Sequence, residues 1–558
     1  MRSKLFLLVL TAICLSFGST AQAQSYAITN ARIVTVSGPT IEKGTIVVRN
    51  GLIDSVGANM QPPADAQVFD ATGLTVYPGF VDTLTTLGIP ARPAATGGGG
   101  PGGGAAAAAA ANAAAAQASN SNYPAGFRAD EATLDEIRAG EAQFEAARLA
   151  GFTTVLSVGR TGIFNGQSAV INLAGDTVSD MAVRSPFALH VSFVTIGGGR
   201  YPQSLLGTFS ALRQMFYDAK RLQDWQRAYA ANPKGLKRPP VDKSLEGLYP
   251  ALGGQMPVVF NANTENDIVR AIGLIKEFKL NGMIAGGQEA WKVADRLKAN
   301  NIEVLLSLNF PKRTTAAAAE ADPESLSTLR FRAETPKGPG KLAAAGVKFA
   351  FQSGAATTLA DFFTNAGKAV AGGLSRDAAI RAMTLGAAEI LGLENRLGSI
   401  EAGKIANLTL VKGDLFGRDK FVPQVIIDGK VFEQKEPVRP AGPAGRGTSG
   451  TGPAAAPAAA SIAGSYSITI EVPGQSVPAT LTFTQSGSSL TGTLSTQGGP
   501  AQLRNGQVTP SGFSFAATVP FGGSSIEITV TGTVTGNQIS GTIESPQGPV
   551  TFAGTKNP

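Results

Sequence analysis

Between residues 130 and 390, short apolar runs alternate with helical stretches, and this alternation constrains the fold more than any other feature of the sequence. The run 152–158 is rich in apolar and β-branched residues, whereas 264–278 has the apolar spacing of an amphipathic helix. A strand without a polar face is buried on both sides, as in a parallel sheet covered by helices. The alternation therefore predicts βα units around a parallel sheet.

The clearest succession of such units lies in the second half of this region. It predicts strands at 256–262, 282–285 and 302–308, helices at 264–279 and 288–299, and a last strand at 347–351. The whole chain is long enough for two to four domains.

Two further regions have the pattern of antiparallel sheets. Residues 26–76 contain alternating β-branched runs and the dipeptide Asn50-Gly51, which is typical of a tight hairpin. In the region 462–558, Leu490–Leu494 recurs as Ile539–Ile543, which predicts repeated hairpins of a small barrel or sandwich. The Pro/Ala/Gly-rich stretch 436–461 before this domain is typical of a linker.

The first residues have the three parts of a secretory signal peptide. Arg2 and Lys4 precede the apolar run Leu5–Leu15, and Ala21-Gln22-Ala23 is a small-residue cleavage site. The run is shorter than the roughly 20 residues that span a bilayer. We therefore predict a signal peptide at 1–23, cleavage after Ala23, a periplasmic or secreted protein, and no membrane contact after cleavage.

Composition narrows the class of protein further. Hydrophobic residues make up 43% and charged residues 16% of the chain, which favours a globular protein. The net charge is +7, but no basic run that could follow a phosphate backbone occurs, so we expect no nucleic-acid partner. The segment 94–123 is a low-complexity Gly/Ala insertion. One Cys and one His exclude a Cys/His zinc cluster.

Three segments, in this order, resemble the amidohydrolase superfamily, in particular its imidazolonepropionase-like and dihydroorotase-like periplasmic members. They are Val76–Asp82 after the β-rich leader, Ala379–Gly392 and Leu397–Lys404. The resemblance implies a (β/α)8 TIM-like barrel over 77–390 and a small composite β-sandwich formed by 24–76 and 391–435. The separate all-β domain at 462–558 would be an addition to that fold.

The resemblance also implies a metal site, and the residues at its positions are unusual. Members of the superfamily commonly hydrolyse C–N bonds other than peptide bonds with zinc or another divalent metal, which activates a water. The positions of the family's ligands are filled in this sequence by Leu84, Thr86, Asn261 and Gly354. Leucine cannot bind a metal, and an amide oxygen is a weak zinc ligand. We therefore expect neither a metal nor another cofactor.

Asp82 and His190 are the two residues that could still carry out catalysis. His190 lies in a strand-like apolar run, where it could act as a general base or be a hydrogen-bonded core residue. Asp82 could take up a proton or hold a water, or it could accept backbone N–H bonds at the corner between a strand and a loop.

These observations predict an exported protein of amidohydrolase fold that is catalytically silent and acts in binding or assembly. Its ligand would be a small amide-like or cyclic-amide molecule, and its assembly a homo- or hetero-oligomer. The alternative is an active hydrolase with a carboxylate-only metal site, or with a metal-free mechanism that uses Asp82 or His190.

Overall fold

The computed structural model describes residues 25–90, 126–195, 201–312, 324–354, 359–434 and 462–557, apart from 128, 141, 160–161, 418 and the turns at 473–474, 487–488, 497–498, 510–511, 522–523, 536 and 546–547. The predicted signal peptide at 1–23, the insertion at 94–123 and the linker at 436–461 lie outside the described residues. The chain forms two compact units, Met1–Val438 and Arg439–Pro558.

The strands of the first unit fall into a sheet built from its two ends and a barrel between them. They are β1 (Ser25–Ile33), β2 (Ile41–Arg49), β3 (Leu52–Ala58), β4 (Gln67–Asp70), β5 (Leu74–Pro78), β6 (Phe80–Thr85), β7 (Phe152–Ser157), β8 (Phe164–Gln167), β9 (Ala169–Asn172), β10 (Ala182–Arg184), β11 (Leu189–Ser192), β12 (Val258–Ala262), β13 (Gly282–Gly286), β14 (Glu303–Ser307), β15 (Phe349–Gln352), β16 (Leu408–Lys412), β17 (Phe421–Ile427) and β18 (Lys430–Glu433).

The helices alternate with the strands of the middle region. They are α1 (Thr133–Glu136), α2 (Ala142–Ala150), α3 (Val178–Met181), α4 (Leu205–Ala231), α5 (Lys243–Glu246), α6 (Tyr249–Leu252), α7 (Glu265–Phe278), α8 (Ala294–Ala299), α9 (Leu326–Glu334), α10 (Gly338–Ala344), α11 (Ala360–Ala371), α12 (Arg376–Ala382) and α13 (Leu385–Ile390), with 3-10 turns at Ala290–Val293 and Thr335–Lys337. No helix in the described ranges combines the length and the apolar character needed to cross a membrane.

An eight-stranded sheet takes strands from both ends of the first unit. Its order is β18-β17-β16-β5-β1-β2-β3, and β4 also pairs with β1. Ile46 of β2 and Ile426 of β17, from distant parts of this order, belong to one buried cluster together with Val76 and Leu408. The sheet therefore curls over a core of its own, and β5 leads directly into the barrel strand β6.

The middle region forms an α/β barrel. The described strands β6 and β7 are parallel to each other, as are β11, β12, β13, β14 and β15. The last strand meets the first where Thr83 Oγ1 donates to the Phe351 carbonyl (2.9 Å) and the Gly354 N–H donates to the Leu84 carbonyl (3.1 Å). The predicted α/β barrel fold is thereby confirmed.

One position in the barrel wall is filled by antiparallel strands. β8 and β9, which only Ser168 separates, pair antiparallel with β11 and β7 respectively. Each has four residues, so together they bridge the gap between these two strands. The sequence does not reveal their direction, because the apolar pattern of so short a run is the same in either orientation.

Successive residues of the barrel strands alternate between two cores. On β12, Val258 and Phe260 pack outward with the helices, whereas Val259 packs inward with Leu305 and Ala350. Helix α13 contributes to this inner cluster, and the Val81 N–H at the start of β6 donates to the Met383 carbonyl just before it (2.8 Å). Because α13 closes the amino-terminal end of the barrel, its carboxyl-terminal end is the one that can hold a site.

The second unit is a closed antiparallel barrel, which confirms the predicted all-β domain. Apolar side chains fill its interior, including Leu490, Leu494, Ile539 and Ile543 of the recurring segments. Its strands, each paired with the next and the last with the first, are β19 (Gly464–Val472), β20 (Gln475–Ser486), β21 (Ser489–Thr496), β22 (Gly499–Thr509), β23 (Gly512–Phe521), β24 (Ser524–Thr535), β25 (Gln538–Ser545) and β26 (Gly548–Lys556).

Candidate functional site

Polar side chains line the inside of the α/β barrel toward the carboxyl ends of its strands. Ala188, Val259, Leu305 and Ala350 belong to the inner cluster. Because side chains on a strand alternate between its two faces, the residues two and four positions further on face the same interior. With Ser168 at the bend between β8 and β9, they form the polar ring: Ser168, His190, Ser192, Asn261, Ser307 and Gln352.

Two of these residues, Ser192 and Asn261, form a hydrogen-bond network with Asn165 on one side of the barrel. Ser192 Oγ donates to Asn165 Oδ1 (2.6 Å), and Asn261 Nδ2 donates to Ser192 Oγ (2.7 Å). The strand register places Ser192 directly beside Asn261. At the predicted ligand position, therefore, the Asn261 amide is already bonded to neutral side chains.

His190 lies next to this network and is fully buried. Its Nε2 is 2.9 Å from Ser168 Oγ, and its Nδ1 has no hydrogen-bond partner within the described structure. Burial away from water lowers the pKa of the imidazole to about 3. At neutral pH the imidazole is therefore uncharged and could accept a proton as a base. No carboxylate among the described residues orients it.

Gln352 lies in the part of the ring formed by β14 and β15. Its Nε2 donates to the Leu305 carbonyl (3.2 Å), while its buried Oε1 has no partner among the described residues. The register places Ser307 beside it. A Cβ at Gly354 would lie 2.9 Å from Gln352 Oε1 and 3.7 Å from Ser307 Oγ, so a larger residue at this position would crowd the oxygen.

Asp82 is fully buried at the seam where β6 meets β15. Its Oδ1 accepts the backbone N–H groups of Ser353 (2.9 Å) and Leu84 (3.3 Å), and its Oδ2 accepts the Ser353 hydroxyl (2.5 Å). Burial raises the pKa of the carboxyl to about 6, although the hydrogen bonds from Ser353 and Leu84 oppose the rise. The two bonds from Ser353 tie the first barrel strand to the residue that follows the last.

The remaining candidate positions offer poor metal ligands. Leu84 packs against the inner apolar cluster, and Thr86 is half-buried beyond the end of β6. Across the described ranges, no three His, Cys, Asp or Glu side chains lie close enough together to hold a metal ion. A catalytic zinc needs three protein ligands of these types. The donors at the family's ligand positions therefore do not fit that metal.

The structure brings some of the predicted site residues together and keeps others apart. Asp82, Leu84 and Gly354 meet at the seam through the hydrogen bonds of Leu84. Asn261 and His190 lie on the neighbouring strands β12 and β11. Among the described hydrogen bonds, none joins Asp82 to His190, so the two candidate catalytic residues do not form a pair.

Sequence reasoning did not single out Ser168, Ser192, Ser307 or Gln352. A signal for three of them is present in the chain. Ser192, Ser307 and Gln352 are the last residues of β11, β14 and β15, and each lies on the same strand face as an apolar residue two or four positions earlier. A polar residue that ends an otherwise apolar barrel strand is the pattern to look for, because ligands meet a barrel at this end.

The fold is similar to that of known proteins. Residues 318–432 match the sequence profile of the Amidohydrolase family. An amidohydrolase from Thermotoga maritima MSB8 superposes with a TM-score of 0.59 at 26% identity, over 73% of this chain and 100% of that one. No curated protein matches the sequence.

Two further solved structures match with lower scores. A Xaa-Pro dipeptidase with bound methionine has a TM-score of 0.45 at 16% identity, over 74% of this chain and 100% of its own. A dihydropyrimidinase from Brevibacillus agri NCHU1002 has a TM-score of 0.40 at 11% identity, over 73% of this chain and 95% of its own. The profile match over residues 318–432 and the Thermotoga structure therefore show that this chain is similar to amidohydrolases in its barrel fold.

Proposed function

We propose that this chain is an exported amidohydrolase-superfamily protein that binds a small amide-like or cyclic-amide ligand in its barrel and does not hydrolyse it. The observation that carries the proposal is the polar ring, whose side chains are all neutral and include Asn261 at a position where the family has a metal ligand. The sequence of residues 1–23 supports export to the periplasm or the medium.

The contribution that a metal would make to catalysis is large, and its loss favours a binding function over hydrolysis. A bound metal can lower the pKa of a water from 15.7 to about 7, which makes hydroxide available at neutral pH. Leu84 cannot supply a ligand for such a metal, and the amide of Asn261 is engaged by Ser192. The polar ring therefore offers hydrogen-bonding groups but no metal site that could activate a water as a nucleophile.

The chemistry of the ring also favours an uncharged ligand. Its described members are hydroxyls, amides and a neutral imidazole. A charged ligand would lose its hydration without gaining an opposite charge from the ring, and this is costly in a buried site. An amide group instead matches the donors and acceptors of Asn261 and Gln352.

Elemental analysis combined with turnover measurements tests the proposal. We expect mature protein, beginning at Gln24, to contain far less than one equivalent of zinc, manganese or iron after incubation with each metal and desalting. We also expect it to leave dihydrouracil, hydantoin and dipeptides intact. Stoichiometric metal with metal-dependent turnover would overturn the proposal. Mass measurement in solution separately tests the predicted homo- or hetero-oligomer.

A second candidate function, metal-free hydrolysis, is favoured by the carboxyl of Asp82. Burial raises its pKa to about 6, so near neutral pH it could exchange a proton with a bound substrate. This function predicts a turnover that persists in chelator and is abolished by Asp82→Asn or His190→Ala. Unchanged rates in both variants would remove the two residues from any catalytic role.

A further inference from the structure

Two unsatisfied hydrogen-bonding atoms of the polar ring belong to side chains on opposite sides of the barrel. His190 Nδ1 and Gln352 Oε1 are both buried and without a partner in the described structure. Their strands, β11 and β15, are separated by β12, β13 and β14 in the barrel. Side chains that point inward from such positions face each other across the barrel interior.

The hydrogen bonds of Ser168 determine whether His190 Nδ1 is a hydrogen-bond donor or an acceptor. Ser168 Oγ donates to the Ala188 carbonyl (3.1 Å) and lies 2.9 Å from His190 Nε2. A hydroxyl has one proton to donate, so with that proton on Ala188 the imidazole must donate from Nε2. Nδ1 then carries a bare lone pair. The other tautomer would bury an N–H without a partner, which is rarer in proteins than an unpaired acceptor.

Both open atoms are therefore acceptors. Gln352 Nε2 already donates to the Leu305 carbonyl, which fixes Oε1 as the free end of that amide. A buried acceptor left unpaired costs about 1–3 kcal/mol, so a partner that supplies donors to both atoms gains affinity from two sites at once. A Cβ at Gly354 would lie 2.9 Å from Gln352 Oε1, so the glycine avoids a close contact at one of these two atoms.

We infer that the ligand of this barrel is a neutral molecule with N–H donors, of the primary amide or urea class, which donates to His190 Nδ1 and to Gln352 Oε1. This inference rests on the proposed function and adds to it the polarity of the ligand. An isosteric carboxylate, which offers only acceptors at neutral pH, would meet two lone pairs and be rejected.

The lone histidine makes the test direct. The chain contains one His, so protein labelled with nitrogen-15 in histidine gives the ring signals of His190 alone. We expect Nδ1 to be unprotonated in the free protein at pH 7. On addition of acetamide, urea or succinamide, its signal should move toward that of a protonated nitrogen, whereas acetate and succinate, matched in shape to two of these probes, should leave it in place.

Two variants separate the second acceptor from a general effect of burial. Gln352→Met removes Oε1 and should weaken the response to succinamide by about tenfold, the equivalent of 1.4 kcal/mol. Gln424→Met is the matched control, because Gln424 is also buried with an unpaired Oε1 but lies on β17 of the eight-stranded sheet. Thermal unfolding of both variants verifies that they are folded.

Each outcome has a separate meaning. A protonated Nδ1 in the free protein, a response to none of the three amides, or an equal response to succinate would overturn the inference. An undiminished response of Gln352→Met would overturn the role of that oxygen. Failure of the proposed function would instead appear as stoichiometric metal and turnover of the unlabelled protein, whichever way the nitrogen signals behave.

Discussion

At the scale of single residues, Asp82 and His190 are both buried inside the barrel, and burial moves their pKa values in opposite directions. The pKa of Asp82 rises to about 6 and that of His190 falls to about 3. In both cases the neutral form is favoured, because the interior solvates a charge poorly. The two residues therefore affect the pH dependence of stability with opposite sign.

Asp82→Asn should abolish the decrease in the free energy of unfolding that the buried carboxyl causes between pH 4 and pH 7. The carboxyl of the folded chain binds its proton more tightly than that of the unfolded chain, so its stabilising contribution is full below pH 4 and is lost as the pH rises through about 6. This loss amounts to about 2 kcal/mol between pH 4 and pH 7 at 1.36 kcal/mol per pKa unit. Urea unfolding of both proteins at the two pH values measures it.

Between pH 7 and pH 4, the free energy of unfolding of Asp82→Asn should fall more, or rise less, than that of the wild type. The variant lacks the gain in stability from protonation of Asp82 and keeps the loss that protonation of His190 causes. An Asn can still accept the Ser353 and Leu84 N–H groups, so the seam is expected to keep its structure. Identical pH profiles for the two proteins would contradict the burial of an ionised Asp82.

The substitution His190→Gln should have the converse effect. The folded chain resists protonation of this imidazole, so its stabilising contribution is present above pH 6.5 and is lost as the pH falls toward 3. Gln retains a polar group beside Ser168 but does not titrate. Relative to wild type, the variant should therefore gain roughly 3 kcal/mol between pH 7 and pH 4. The free energy of unfolding at the two pH values tests this, and an unchanged difference would contradict it.

At the scale of elements, one buried amide joins the eight-stranded sheet to the barrel. Asn407, next to β16, donates to Thr154 Oγ1 of β7 (3.0 Å) and to Asn172 Oδ1 of β9 (2.9 Å), and its own Oδ1 accepts the Asp428 N–H (2.9 Å). Asn407 thus has a structural role within the fold that is independent of any activity.

Removing that amide should destabilise the first unit without affecting a ligand. We expect Asn407→Ala to lower the free energy of unfolding by about 2–3 kcal/mol, because three hydrogen bonds are lost, two of them buried. Asn300→Ala is the control, since Asn300 is half-buried and donates its side-chain N–H only to the Arg296 carbonyl. Urea titrations of both variants test this prediction, and equal losses would contradict it.

Helix α7 provides a second prediction at this scale. The sequence placed this helix at 264–279; the observed helix is Glu265–Phe278, with the Thr264 side chain as its N-cap and Lys279 as a left-handed C-cap at φ 55°. A lysine is strained in that conformation and a glycine is not. Lys279→Gly should therefore raise the free energy of unfolding by about 0.5–1 kcal/mol, measured by urea titration.

A matched glycine in the last turn of the same helix should act in the other direction. Lys276 lies within α7, so Lys276→Gly should cost about 1 kcal/mol through lost helix propensity. If both substitutions destabilise the protein equally, the left-handed cap at Lys279 is incorrect.

At the scale of the whole molecule, each of the two compact units has a core of its own. The closed barrel of the second unit buries a separate apolar cluster, with Tyr466, Phe483, Phe513 and Phe515 at its centre. We therefore expect calorimetry of the full chain to resolve two unfolding transitions, and a fragment 462–558 to unfold at the temperature of one of them. A fragment without a cooperative transition would contradict this.

The sequence by itself determined the class of fold and the unusual character of the site. Local periodicity predicts where strands and helices form, because burial on one or both faces leaves a pattern within ten residues or so. The motif around Asp82 likewise gave the barrel's first strand, and the absence of His from its ligand positions can be read without coordinates.

Only the tertiary structure decided which polar side chains share the interior and which atoms of them are left open. Ser168, His190 and Gln352 are far apart in the chain and meet because seven parallel strands and one bent antiparallel pair close into a ring. Closure depends on pairing between distant segments, so no local pattern encodes it. The free acceptors of His190 and Gln352 exist for the same reason: their other atoms are held by residues that only the closed barrel brings near.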